Sequence, residues 1–322
     1  MARTNPSKSG RESRRQAEAA EQQARAAQAA KERRQQTIIG VIVAAVLVVL
    51  IVIAGVAVYR STHPSANNSS STSSEDATSA KDTLASSPAK PSVTDDEGGI
   101  LISADGYDKP VKDVPTIGIY MDFMCPGCGS LNQNLDKDLA KMADAGQINL
   151  DLHFMSFMDR FSTDEYSTRT ANAALYIADH DPDPDHLLKF MSNLYAADFQ
   201  PDETAYEPIS DEKIAQRAVD AGVDKDVANK AITRQYDDYL DAVNTYTPTR
   251  EELWSTSGST KGSMSTPTVT INGRYWDLHD AKVTSKDSLT DALCEAIGLK
   301  PADIGVKGDL PSIGADGKAL IP

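Results

Sequence analysis

Cys125-Pro126-Gly127-Cys128 stands where a β-prone run gives way to a helical pattern, and no other feature constrains the fold as tightly. Before it, Pro115 to Met124 contains a β-prone core, Ile117 to Phe123. After it, Cys125 to Ala145 has helical spacing, with Leu131, Leu135, Leu139 and Met142 on one face. Ile148 to Phe157 begins as an apolar–polar alternation and reads as the next strand. Strand–CxxC–helix–strand is a βαβ element, which favours a parallel pair joined by a right-handed crossover.

Downstream, the pattern predicts helices over Asp164–Asp179, Pro184–Ala197, Ser210–Ala221, Lys225–Tyr246 and, most weakly, Arg250–Trp254. Strand character returns at Thr266–Ile271. Asn272-Gly273 then joins it to Arg274-Tyr275-Trp276, a strong short-range hairpin signal. Thr284 to Leu299 reads as a closing helix capped by Thr284 or Ser285, and the Gly/Pro-rich residues 301–322 as a loosely ordered tail. One α/β domain over 99–300 is the expectation, with a helical insertion at about 163–260.

The N-terminal third is of another kind. Ile38 to Val58 is apolar without a charge or proline, and as a helix it spans roughly 30 Å, the thickness of a bilayer core. The formal charge of the chain is −15, yet residues 1–36 hold nine Lys/Arg against four Asp/Glu. The positive-inside rule then places residues 1–36 in the cytoplasm, a single transmembrane helix at 37–59, and the bulk of the chain outside. Gly55-Val56-Ala57 resembles a small-residue cleavage site, so a cleaved signal peptide competes. The long basic segment and an apolar run exceeding ~7–15 residues favour an uncleaved signal-anchor. Residues 60–98, rich in Ser, Thr, Ala and Asn, read as a disordered tether. The acidic balance argues against nucleic-acid binding.

Three cysteines are too few for a disulfide-stapled mini-protein. A structural zinc site needs four ligands, and Cys294, His153 and His279 show no ligand spacing. A purely structural local disulfide would close so short a loop that it would stabilise little. The redox reading accounts for the context. Cys125 at a helix N-terminus has its thiolate stabilised by free N–H groups and the helix dipole. Pro126 costs no hydrogen bond there, and Gly127 leaves the turn open. An exposed Cys125 is the expected nucleophile, and Cys128, one turn on, the resolving thiol. No metal or organic cofactor is implied.

Asp122-Phe123-Met124-Cys125-Pro126-Gly127-Cys128 resembles the DsbA-like branch of the thioredoxin superfamily, in which an (S/V)DF-x-CPxC pattern is common. Ser265-Thr266-Pro267-Thr268 resembles the second mark of that branch, a Thr-Pro leading into a late strand. The resemblance implies a thioredoxin-like fold with a helical insertion, a cis Pro267 facing the cysteines, and a Thr266 backbone offered to a client strand. It further implies disulfide formation or exchange in exported proteins with cysteine pairs. A membrane oxidase of the DsbB or vitamin K epoxide reductase-like type would recharge the pair. Two departures stand out: Ile119 occupies the position where many relatives carry a buried acid, and no histidine follows Pro126 as in the most oxidising members.

Two further readings stay open: a reductase or isomerase for a dedicated partner, and a tethered peptide-binding or chaperone module without redox turnover. Asp122 reads either as a tuning or proton-accepting carboxylate or as a solvated strand end. Cys294, beside the Leu289–Leu293–Ile297 line, reads as a small buried hydrophobe. Tyr275 and Trp276 are candidates for a client groove, with core packing as the alternative.

Overall fold

A computed structural model describes residues 74–322. The basic segment 1–36, the expected membrane span 37–59 and the tether as far as residue 73 lie outside the described residues. Among the described residues, no helix is long and apolar enough to cross a membrane.

Six strands form one sheet: β1 (Ile100–Ser103), β2 (Gly106–Tyr107), β3 (Thr116–Met121), β4 (Asn149–Phe154), β5 (Thr268–Ile271) and β6 (Arg274–Trp276). Their order is β2-β1-β4-β3-β5-β6. β3 and β4 run parallel, in the register Ile117 with Leu150 and Ile119 with Leu152; every other pair is antiparallel. Side chains alternate along each strand, so residues in register share a face. Ile117, Ile119, Leu150, Leu152, Val269 and Ile271 make one face apolar. Gly118, Tyr120, Asp151, His153, Thr268 and Thr270 make the other polar. That polar face is buried too, so it carries its own partners. Tyr120 stacks on His153, and Arg250 donates to the Tyr120 hydroxyl at 3.1 Å. β5 and β6 meet at Asn272-Gly273, both with positive φ, the conformation a tight two-residue hairpin needs.

The helix that begins at Pro126 is not uniform. It runs as α-helix over Pro126–Leu131, widens into a π turn over Asn132–Asp136, and resumes over Lys137–Asp144. Leu131, Leu135, Leu139 and Met142 are buried, as their spacing predicts. The insertion between β4 and β5 comprises Tyr166–His180, Pro184–Leu194, Asp211–Ala221, Lys225–Ala231 and Asp237–Tyr246. The expected single helix Lys225–Tyr246 is therefore two. Arg234 adopts φ +58 at the break, where Asn172 accepts from the Tyr236 N–H at 2.7 Å and donates to Asp237. The closing helix is also shorter than expected. It spans Leu289–Ile297 and is capped by Ser288, whose hydroxyl accepts from the Asp291 N–H at 3.0 Å.

Two expectations of disorder are corrected. Residues 74–98 are not a tether: Ser74–Ala85 is a helix, and its Leu84 is fully buried near Tyr239 and Val243. Glu97 pairs with Lys81 at 3.1 Å and with Arg250 at 2.7 Å. A low apolar content was enough because one leucine and a few ion pairs dock a short helix onto an existing core. Residues 301–322 are likewise held. Gln147 donates to the carbonyls of Asp303, Val306 and Asp309, and Asn272 to those of Gly314 and Gly317. Ile321 is buried.

Candidate active site

Strand β3 delivers the chain to Asp122, and the helix starts at Pro126 with Cys125 as its N-cap residue. Cys125 uses extended dihedrals, φ −68 and ψ 118, and its N–H donates to Asp122 O at 3.0 Å. Pro126 takes the first helical position, where its missing N–H costs nothing. All three cysteines are free thiols.

The Thr266-Pro267 bond is cis, and the segment leading into β5 lies over Cys125. The Cys125 thiol donates to Thr266 O at 3.3 Å. A Cβ on Gly127 would stand 3.0 Å from Pro267 Cδ, so glycine leaves room for the proline ring. The expected openness of Cys125 is corrected by this cover. It is 7% exposed and Cys128 2%, so the first cysteine is the more accessible of two sheltered ones.

The two thiols differ in acidity. Hydrogen bonding from the Cys128 thiol, and then from its backbone N–H, holds Cys125 below the usual thiol range despite burial. Burial pushes Cys128 well up, and hydrogen bonding to Cys125 pushes it further. Of the two, Cys125 therefore gives up its proton more readily, and Cys128 holds its own.

Asp122 is fully buried beneath this turn and is not a solvated strand end. Burial raises its carboxyl to about 6, against the pull of three donors: Ser167 Oγ at 2.7 Å, Met124 N–H at 2.9 Å and Met158 N–H at 2.9 Å. Its charge acts on both cysteines, pushing each thiol up. Ile119 instead lines a cleft of about 410 Å³ with Leu150, Leu152, Leu188 and Asp136, and the acid buried beneath the cysteine turn is Asp122. Spacing alone did not reveal this, because Asp122 follows the last strand residue, where either solvent or core is available to a side chain.

Other predicted residues fall away from the site. Cys294 is completely buried in the last helix, and burial pushes its thiol up to about 11. Trp276 is 1% exposed and belongs to the core, which removes it as a groove residue; Tyr275 is half-buried beside Ser255. Sequence reasoning missed Tyr195 and Gln200, which donate to carbonyls of Asp122, Phe123 and Cys125. Their only sequence trace is Gly129, an isolated glycine inside a helical pattern.

A family model described as thioredoxin matches residues 113–288, just over half of the chain. The chain belongs to the thioredoxin family. Its body is accordingly a thioredoxin-like α/β fold with a helical insertion. Among curated proteins it is 32% identical over 110 residues to the serine/threonine-protein kinase PknE of Mycobacterium tuberculosis, covering 34% of this chain and 19% of the kinase. It thus spans about a fifth of that relative's length. Among solved structures it is similar to reduced DsbA of M. tuberculosis, with 21% identity, 63% of this chain and 94% of that one covered, and a TM-score of 0.48. Reduced DsbG of M. tuberculosis gives 22% identity, 71% and 98% coverage, and a TM-score of 0.49. In this thioredoxin-family protein, the matched residues include both Cys125–Cys128 and Thr266-Pro267.

Proposed function

We propose that this protein forms or exchanges disulfides in exported proteins from the outer side of a membrane, held there by a single transmembrane helix over 37–59. The observation that carries the reading is the opposed acidity of two adjacent cysteines, the first of them in contact with the Thr266 carbonyl. Such a pair has a good leaving group at Cys125 and a resolving thiol that stays protonated. Anchor and orientation are supported by the apolar run Ile38–Val58 and the basic residues before it.

In the oxidising direction, a client thiolate attacks Cys125 Sγ of the Cys125–Cys128 disulfide. That bond breaks, and Cys128 takes the electron pair and a proton. The client's second thiolate then attacks its own sulfur in the mixed disulfide and expels Cys125 as thiolate. Two electrons have passed from client to pair, and a membrane oxidase of the DsbB or vitamin K epoxide reductase-like type would remove them. In the reverse direction the Cys125 thiolate attacks a client disulfide and Cys128 resolves the adduct. Thr266, whose carbonyl already accepts from Cys125, is positioned to meet the backbone of an extended client, with Pro267 beside it.

A Cys128→Ala variant of the full chain, expressed in cells and trapped by acid quenching, tests this. Exported proteins with cysteine pairs should remain disulfide-linked to Cys125, and Cys125→Ala with Cys128→Ala should retain none. Adducts drawn only from cytoplasmic proteins, or no adducts at all, would overturn the proposal.

A further inference from the structure

The connection from Pro184–Leu194 to Asp211–Ala221 lies across the turn that carries the cysteines. Tyr195 Oη donates to Asp122 O at 3.1 Å. Gln200 Nε2 donates to Phe123 O at 3.2 Å and to Cys125 O at 3.0 Å, using both hydrogens of one amide. These two carbonyls bracket Met124, so a single side chain fixes the path from strand to helix. The opposite side of Gln200 fits Gly129. A Cβ there would stand 2.1 Å from Gln200 Oε1. Gly129 is not one of the glycines with positive φ, so its backbone does not demand glycine. What the missing side chain provides is room for the Gln200 amide.

We propose that Gln200 is a positioning residue for the redox pair, holding Cys125 so that its sulfur stays beneath Thr266 and within reach of the Cys128 donors, with Gly129 as its socket. The inference rests on the reading of Cys125–Cys128 as the redox pair. It makes the helical insertion part of the active site through one side chain. Both N–H groups of the amide are taken by the Phe123 and Cys125 carbonyls, so Gln200 acts on the thiol by holding the Cys125 backbone where the Cys128 donors reach its sulfur. Gln200 therefore favours the reduced pair.

The test uses the full chain with Gln200→Met, which keeps bulk without donors, and Gln200→Glu, which when ionised accepts only. Iodoacetamide alkylation of Cys125 against pH and equilibration of the pair with glutathione are the readouts. In Gln200→Met, alkylation at pH 7 should slow, and the equilibrium should move toward the disulfide, each about two- to ten-fold, the reach of one or two net hydrogen bonds. Gln200→Glu should move both further. Gly129→Ala should reproduce the change in the wild-type background and add little in Gln200→Ala, because the socket is then empty. Variants that lower only the unfolding midpoint, leaving the alkylation profile and the equilibrium in place, would overturn the proposal. So would additive effects of Gly129→Ala and Gln200→Ala. A wild-type pair that never equilibrates with glutathione would count against the redox reading, and the alkylation profile would still judge Gln200.

Discussion

Asp122 holds a titrating carboxyl where water does not reach it, three positions before the reactive thiol. Replacing it with Asn removes a charge that raises both thiols, so the alkylation profile of Cys125 should move to lower pH; an unmoved profile would show that the charge does not act on the pair. The same change leaves the Met158 N–H facing an amide donor, at a cost of about 1–3 kcal/mol in urea unfolding. Cys294 should behave oppositely to Cys125. Buried completely and held at about 11, it should resist alkylation at pH 8 in the native protein and react only on denaturation. At this scale the sequence revealed what local chemistry dictates: a proline at the first helical position and two cysteines one turn apart. It left open whether Asp122 pointed inward, because that depends on Ser167, 45 residues away.

Elements were legible where periodicity decides them. β3, β4, the Asn272-Gly273 hairpin and the helix Asp211–Ala221 follow from local pattern and turn chemistry. The break at Arg234 and the tethering of residues 301–322 were not legible, since each depends on an amide from a distant element. Gln147 is the clearest case, fully buried and donating to three carbonyls of the C-terminal segment. Gln147→Ala should therefore lower unfolding free energy by about 2–3 kcal/mol, read by chemical denaturation, and should speed proteolysis within 301–322. A variant as stable as the parent would mean that Asn272 and Ile321 hold the segment unaided.

For the whole molecule, pH acts through carboxylates shifted in opposite senses. Asp122 rises from an ordinary 3.8 to about 6, so the native state binds more protons than the unfolded chain between those values. Stability should fall as pH rises across that window, by up to about 3 kcal/mol. Asp151, buried but held below the usual carboxylate range by His153, contributes stability that is lost as pH falls below about 4. Urea titrations from pH 3 to 8 should thus find a maximum near the lower end, with the decline between 4 and 6 reduced in Asp122→Asn.

The place of β3 in the sheet also sets a timetable. One neighbour, β4, follows it closely in the chain; the other, β5, arrives with Thr266-Pro267 about 140 residues after Cys125. At about 5–20 residues per second, ribosomal synthesis leaves β3 with an open edge, and Cys125 without its cover, for roughly 7–30 s. Each newly made copy therefore passes through a stage in which Cys125, the most acidic of the three thiols, stands without the segment that later shelters it.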